Sequence, residues 1–475
     1  MKQYCVFCAL MLAAFLAEPL AAAETTAARP NIVFILADDL GYMDVGCYNP
    51  NAFYETPSID SLAKRGMKFT QGYAACNVCS PTRGSIMTGK YPPRFRITNF
   101  IGGSRSGQLL PPPNADHLPL EEVTIAEALR DAGYATFFAG KWHLGGGEFA
   151  PSAQGFPEDL QGGPQFFYPK SDLPLPNRKN DPKTTDRIVN EAVEFIGEHK
   201  DKPFFAYLPF LAVHVPMGGR PDLVAKYEAK AKNASADSWG QEGMKKVRLV
   251  QNVPVYAAML EQLDSGIGRV LAALKENGLT EKTIIVFMSD NGGLSTSEGW
   301  PTSNLPLRGG KGWPYEGGVR EPMIVVAPGV TKPGSTCDVP VISTDFYPTL
   351  LQLAGQPLKP GQHRDGVSFL PLLKGGAARR GKALFWHYPH YSNQGGSPYG
   401  AIRDGDWKFI EWYEDGALEL YNIPQDVGEK HNLAAQQPEK VKELHEKLIA
   451  WRKEVGALMP TPNTAPATPK KKKAK

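Results

Sequence analysis

The sequence predicts an α/β protein: a large, mostly parallel sheet flanked by helices, followed by a smaller C-terminal subdomain of antiparallel sheet plus helix. Three observations carry this. Two nearly continuous apolar runs, Asn31–Ala37 (NIVFILA) and Thr283–Ser289 (TIIVFMS), are rich in β-branched residues, the pattern of strands buried on both faces. Strand-like and helical patterns alternate through the first two thirds of the chain, which favours helices layered on a sheet over segregated elements. Beyond about residue 375 the texture changes to short alternating or aromatic runs joined by turns such as Asp404-Gly405 and Asp415-Gly416.

Taken in order, the first apolar run ends abruptly in Asp38 and Asp39. A helical pattern follows Thr124 (TIAEALRDAGY), then a short strand at Ala135–Ala139. The rhythm returns with a helix at 185–199, an apolar strand-like run at 204–213 and a helix at 256–274. In the last of these, Met259, Leu260, Leu263, Ile267, Val270, Leu271 and Leu274 recur at helical spacing as a core-facing stripe. The second apolar run also stops on polar residues, Asp290 and Asn291, and 323–327 (MIVVA) is a third strand candidate. In the C-terminal part, 383–388, 400–403, 407–413 and 418–421 read as strands. A helix at 438–455 sets Val441, Leu444, Leu448 and Trp451 on one face to cover them. The expected division is a large α/β domain over 24–375, a sheet-plus-helix subdomain over 376–459, and a disordered basic tail over 460–475, whose Pro, Thr, Ala and Lys cannot bury a core.

Composition narrows the function. The chain has 475 residues, 42% hydrophobic and 21% charged, as ordinary globular proteins do. Its formal charge of +3 is carried by the tail lysines Lys470, Lys471, Lys472, Lys473 and Lys475, so the body offers no basic footprint for nucleic acid. Six cysteines are too few for a disulfide scaffold. Cys5 and Cys8 fall in a predicted signal peptide over 1–23: Lys2, an apolar run over 6–17, Pro19, and small residues Ala21 and Ala23 at cleavage-site spacing. That run is too short to span a membrane, so the expectation is an exported protein, periplasmic or extracellular, starting near Glu24 and without a transmembrane segment.

Ligands of open parallel sheets sit outside the carboxyl ends of the strands, which makes Asp38, Asp39, Asp290 and Asn291 candidates for one shared site. Converging carboxylates repel one another, whereas a hard divalent ion seeking roughly six to eight oxygens would satisfy them, giving a Ca²⁺ or Mg²⁺ site. Taken singly, each pair could equally cap a helix or form a turn. Cys76 and Cys79 form a C-x-x-C pair, but no second pair completes a zinc set.

Cys79 gains meaning from the residues after it. The stretch CSPTRGSIMTGKYPPR, with Cys79, Pro81, Arg83 and Thr88-Gly89, resembles the signature of the type I sulfatase family, the arylsulfatase-like branch of the alkaline-phosphatase-like superfamily. The resemblance extends over most of the chain: RPNIVFILADDLGYMD from Arg29, Gly140-Lys141-Trp142-His143-Leu144-Gly145, His214-Val215-Pro216, Ser289-Asp290-Asn291-Gly292-Gly293, and Gly310-Lys311 with Tyr315-Glu316-Gly317-Gly318-Val319-Arg320-Glu321-Pro322.

The resemblance implies a sulfuric ester hydrolase whose Cys79 is converted to formylglycine by a formylglycine-generating enzyme. One hydroxyl of the hydrated aldehyde attacks sulfur, giving a covalent sulfate ester, and the other, once deprotonated, collapses to release sulfate. It further implies that Asp38, Asp39, Asp290, Asn291 and an oxygen at position 79 hold Ca²⁺, less readily Mg²⁺. Arg83 would hold the formylglycine and the metal carboxylates, Lys141 and Lys311 would grip the sulfate, His143 would take a proton from the second hydroxyl, and His214 would contact the bridging oxygen as general acid. The glycines at 309–310 and 317–318 could form turns or let backbone approach the sulfate. A Cys76–Cys79 disulfide would block the conversion, so Cys76 is expected to stay reduced or to pair with Cys47 or Cys337.

For the substrate, Trp313, His387, His390 and Tyr391 could stack on and hydrogen-bond a sugar, and Arg94, Arg96 and Arg105 could read further sulfates or a carboxylate. Segments such as PPRFRITNFIGG and FWHYPHYSNQGGSPYGAIRDGDWKFIEWYEDGALELYNI look similar to exported bacterial enzymes that degrade sulfated polysaccharides. The expected substrate is therefore a sulfated oligosaccharide or polysaccharide, with galactose or N-acetylgalactosamine types favoured. Two alternatives stand beside it: a phosphodiester or phosphonate monoester hydrolase using the same nucleophile, and a catalytically inactive glycan-binding relative.

Overall fold

The computed structural model describes residues 29–160, 184–376 and 380–464. The predicted signal segment 1–23, Glu24, and the lysine-rich stretch beyond residue 464 lie outside these residues. Nine strands form the main sheet: β1 (Asn31–Ala37), β2 (Met67–Tyr73), β3 (Ala135–Ala139), β4 (Glu158–Leu160), β5 (Phe204–Pro209), β6 (Thr283–Ser289), β7 (Arg320–Val326), β8 (Ser335–Cys337) and β9 (Val341–Ile342). Their spatial order is β8-β2-β7-β6-β1-β5-β3-β4, with β9 also pairing β2. Every pairing is parallel except those of β7, which runs against both β6 and β2.

Every residue of β1 and β6 is buried. At roughly 1.5–3 kcal/mol for each buried Val, Leu, Ile or Phe, such runs are stable only as central strands. They lie side by side in register from Asn31↔Thr283 to Ala37↔Ser289, so their polar successors emerge together. The helices around the sheet include α1 (Pro57–Arg65), α2 (Cys79–Thr88), α3 (Ile125–Asp131), α4 (Thr185–Glu198), α5 (Pro221–Ala231) and α6 (Pro254–Glu276), and α6 packs against α1, α4 and α5. The C-terminal part is a four-stranded antiparallel meander, β10 (Leu384–Tyr388), β11 (Tyr399–Asp404), β12 (Trp407–Trp412) and β13 (Leu418–Asn422), covered by α7 (Pro438–Glu454) through Leu444, Leu448 and Trp451. This meander shares a core with Tyr73, Val78 and Trp313, and Trp386 Nε1 donates to the Ala74 carbonyl at 2.8 Å.

Several expectations need correction. The run over 204–213 is a strand only to Pro209. After it the chain leaves β3 and continues beside the end of β1, where Asp38 N donates to Ala212 O and Val213 N to Asp38 O. The third apolar strand begins at Arg320 rather than Met323. Strand β2 and helices α1 and α5 escaped the sequence reading. The tail does not begin as free chain at 460, because Thr461–Pro462 pairs with Leu109–Leu110 and Asn463 N donates to Gln108 O. Backbone pairing of this kind needs no apolar side chain, so composition does not reveal it. Among the described residues no helix is long and apolar enough to cross a membrane.

Candidate active site

The topology gathers the chemistry at one edge. The carboxyl ends of β1, β2, β3, β5 and β6 all point the same way, and β7, running oppositely, begins at that edge. Asp38 and Asp39 therefore follow β1, Asp290 and Asn291 follow β6, Lys141 and His143 follow β3, and His214 follows β5. The segment after β2 leads into α2 at Cys79, and Lys311 precedes β7.

The acidic residues form one buried, cross-linked group. Asp38, Asp39, Asp290 and Asn291 are at most 1% exposed. Asp39 N donates to Asp290 Oδ1 at 3.1 Å, and Asn291 Nδ2 to Asp39 Oδ1 at 2.7 Å. Asp39 itself sits at φ 64°, a left-handed conformation uncommon outside glycine that turns its carboxylate into the group. Three cations face the carboxylates. Lys141 Nζ lies 2.6 Å from Asp38, Lys311 Nζ 2.8 Å from Asp39, and Arg83 binds Asp290 Oδ2 through Nε at 3.0 Å and a terminal nitrogen at 2.6 Å. The other terminal nitrogen of Arg83 donates to the Lys141 carbonyl at 2.7 Å, tying β6 to the loop after β3.

Burial alone would raise Asp38, but Lys141, His214, Arg83 and Lys311 together hold it well below the usual carboxylate range. Burial and the Asp38 charge push Asp290 up to about 7. The donor set fits a hard divalent ion: the Oδ1 atoms of Asp38 and Asn291 are buried without a hydrogen-bond partner, and ligand atoms of Asp38, Asp39, Cys79 and His214 lie within 4.8 Å of one another.

Cys79 opens α2, all of whose residues are buried. A helix start favours negative charge. Burial nevertheless dominates over Lys141 and Lys311 and pushes the Cys79 thiol up to about 12, so as a thiol it is an inert nucleophile. Cys47, Cys76, Cys79 and Cys337 are all free, which selects the reduced alternative for Cys76. His143, at φ 56°, faces the Ile101 carbonyl through Nε2 at 3.3 Å; because a carbonyl can only accept, Nε2 carries the proton and Nδ1 keeps its lone pair. Nδ1 is buried without a hydrogen-bond partner, and burial followed by Lys141 and Arg83 holds this imidazole well below its ordinary range. His214 donates from Nδ1 to the Val215 carbonyl and turns Nε2 toward Asp39 at 3.6 Å; burial and then Lys311 bring it down to about 4. The glycines at 317 and 318 pack closely against backbone. A Cβ on Gly318 would fall 2.2 Å from the Trp313 carbonyl, and one on Gly292 1.9 Å from the Gly317 carbonyl.

The expected substrate residues separate. Arg94 is spent on Asp365 at 2.8 Å and Glu454, and Arg96 donates to the Gly456 carbonyl, so both fasten the C-terminal subdomain. Trp313 is buried with Nε1 donating to Thr296 and Gln394, His387 bridges Tyr413 and the Leu458 carbonyl, and His390 bonds Thr98. These are core contacts of the meander, where an aromatic with a polar tip is stable only if the tip is satisfied. Arg105 is exposed and has no hydrogen bond or ion pair among the described residues. It lies on the loop after Asn99, which is held by Tyr388 through Asn99 at 2.9 Å and by Ser80 through Ile101 at 3.1 Å. The sequence reading missed Ser80, Asn99 and Tyr388 as supports of this loop; each is one polar residue without a pattern, paired across up to 289 positions.

Carboxylates and cations packed around a buried helix start define a hydrolase site for an anionic ester. Comparison with known proteins agrees. The family model described as Sulfatase matches residues 30–356, and that described as N-sulphoglucosamine sulphohydrolase, C-terminal, matches 310–454. A sulfatase of Formosa agariphila is 33% identical, covering 94% of this chain and 93% of its own. Human arylsulfatase A is 34% identical over 87% of this chain and 85% of its own. The crystal structure of Ps i-CgsB in complex with k-i-k-neocarrahexaose superposes with a TM-score of 0.72 at 29% identity, covering 89% of this chain and 92% of that one. The chain belongs to the sulfatase family, with the alkaline-phosphatase-like fold, and is a sulfuric ester hydrolase.

Proposed function

We propose that the enzyme removes sulfate from a sulfated carbohydrate, of galactose or N-acetylgalactosamine type, with Cys79 in its formylglycine form and Ca²⁺ held by Asp38, Asp39, Asp290 and Asn291. The observation that carries this is the convergence of a buried, inert Cys79 thiol with unsatisfied carboxylate and amide oxygens and three cations. An inert thiol at the centre of such a site calls for chemical conversion, which a formylglycine-generating enzyme would perform. The hydrated aldehyde supplies two hydroxyls on one carbon, one to attack sulfur and one to release sulfate after losing its proton. The divalent ion supplies positive charge against the sulfate oxygens.

The chain's own groups do the rest. Arg83 fixes Asp290 and the Lys141 carbonyl in one frame, as its rigid fork permits. Lys141 and Lys311 are available to the sulfate once a divalent ion shares the carboxylates, and they stabilise charge that grows during transfer. His143 Nδ1, with a free lone pair, accepts the proton from the second hydroxyl. His214 is neutral in the free site; a sulfate arriving beside it offsets Lys311 and favours the imidazolium, which can protonate the departing sugar oxygen.

The carbohydrate reading draws on the likeness to Ps i-CgsB, crystallised with a neocarrahexaose, and on exposed Arg105, suited to a second sulfate or a carboxylate on the sugar. Export follows from the 1–23 segment. The test is peptide mass spectrometry across Cys79 on protein made with a formylglycine-generating enzyme, alongside release of inorganic anion from matched sulfated and phosphorylated sugars. An aldehyde at position 79 with release from sulfated galactosides supports the reading; release only from the phosphate esters would replace it by the phosphohydrolase alternative.

A further inference from the structure

Lys311 N donates to Gly293 O at 3.2 Å and Gly312 N to Asn77 O at 2.9 Å, while the ends of the loop that carries Lys311 are held by residues far from the acidic group. The loop from Arg308 to Gly317 closes on itself where Gly317 N donates to Arg308 O at 2.8 Å. Both ends of that closed loop meet one residue of the C-terminal subdomain. The Glu429 carboxylate accepts from Glu316 N at 2.7 Å, and its carbonyl accepts from the Arg308 guanidinium at 3.0 Å. Glu429 is fully buried and stands at φ 49°, a left-handed backbone that lets side chain and carbonyl serve the two ends at once.

A buried lysine completes the clamp. Lys408, on β12, lies 2.9 Å from Glu429 and 3.0 Å from Glu316, and all three are 0% exposed. Glu316 also accepts from Tyr73 on β2 at 2.8 Å, with Arg320 at 3.4 Å and Arg403 at 3.7 Å. Two carboxylates taken out of water need such a cation, and a cluster of this kind costs desolvation that apolar residues would avoid. Packing alone therefore gives little reason for it. Its geometric product is a fixed loop, from which Lys311 Nζ reaches Asp39 at 2.8 Å.

We propose that Glu429 and Lys408 are positioning residues for Lys311, so that the C-terminal subdomain forms part of the sulfate-gripping apparatus; this rests on the role of Lys311 proposed above. A misplacement of about 1 Å in a positioned group lowers rate by roughly a hundredfold. The test is a double-mutant cycle in the full chain, pairing Glu429→Ala with Lys311→Ala. The readouts are kcat/KM for sulfate release and the affinity for inorganic sulfate by calorimetry, with thermal denaturation on every variant.

Alone, Glu429→Ala should lower kcat/KM by about 10- to 100-fold and weaken sulfate binding as Lys311→Ala does. In the Lys311→Ala background it should cost less than about threefold more, while lowering Tm equally in both backgrounds. Glu429→Gln, which keeps an acceptor for Glu316 N, should recover most of the activity, and Lys408→Gln serves the same cycle if the alanine variant does not fold. Equal losses in both backgrounds, or a Glu429→Ala protein with native kcat/KM, would overturn the proposal. A wild-type protein whose sulfate affinity is unchanged by Lys311→Ala would instead remove Lys311 from the sulfate grip, a separate result.

Discussion

Two lysines face the same carboxylate group and arrive there by different means. Lys141 stands two residues beyond β3; its N–H donates to Pro209 O at 2.6 Å, and its carbonyl is held by Arg83. Lys311 stands on a loop between β6 and β7, held at its own N–H by Gly293 O at 3.2 Å and at the loop's ends by a buried ion cluster in which Glu316 of the loop meets Lys408 and Glu429 of the C-terminal subdomain. Strand ends deliver a side chain accurately because the ladder beneath them is continuous, whereas a loop needs side chains from elsewhere to fix it. The first half of the site is thus local to the sheet, and the second draws in addition on a separate part of the chain.

The largest expected effect lies where the halves meet. Cys79→Ala should lower sulfate release on the order of 10⁴-fold or more while leaving the thermal unfolding of the protein intact. Retained turnover would mean that neither half serves this helix start. Next comes the strand-end half: Asp290→Ala removes the anchor of Arg83 and a proposed ion ligand, and should lower bound divalent metal, measured by elemental analysis, together with a loss of activity of roughly 10²- to 10³-fold. Unchanged metal content would break the claim that this half holds the ion.

The third test concerns the C-terminal half. Burial holds His387 down to about 4 and His390 down to about 3, so the folded protein keeps both neutral while an unfolded chain takes up protons in the ordinary imidazole range. Their contribution to stability is complete above about pH 6.5 and is lost as pH falls toward 4 for His387 and toward 3 for His390. His387→Asn should flatten the decline in urea stability between pH 7 and pH 4 by about 3 kcal/mol. A slope identical to wild type would show that this half does not couple to protons through His387. The smallest effect belongs to the loop after Asn99, where Arg105→Ala should raise KM for a disulfated sugar about tenfold, near 1.4 kcal/mol, and leave a monosulfated one unchanged.

The same contrast governs how much the sequence reveals. The strand-end half is legible because NIVFILA and TIIVFMS are unmistakable buried strands and their successors, Asp38 and Asp290, stand out against them. Strand β2 was not legible: MKFTQGY interrupts its apolar residues with the half-buried polar residues Lys68, Thr70 and Gln71, so its apolar alternation is weak. The clamp on Lys311 was invisible for another reason. Glu316, Lys408 and Glu429 are isolated charged residues, and their pairings span 92 and 113 positions. Arg94 and Arg96 looked like substrate cations because sequence shows a charge but not the carboxylate or carbonyl that consumes it.

The side chain of Cys79 is 2% exposed, at the start of a helix walled in on every side. On the conversion proposed for Cys79, a modifying enzyme would need access that the folded chain denies, so the conversion would have to precede the docking of β2 and α2. The proportion of competent molecules in any preparation is then decided during biosynthesis. On the same reading, protein purified with an unaltered thiol would stay inert when a modifying enzyme is added later, and the specific activity of a batch would record a race between folding and chemistry.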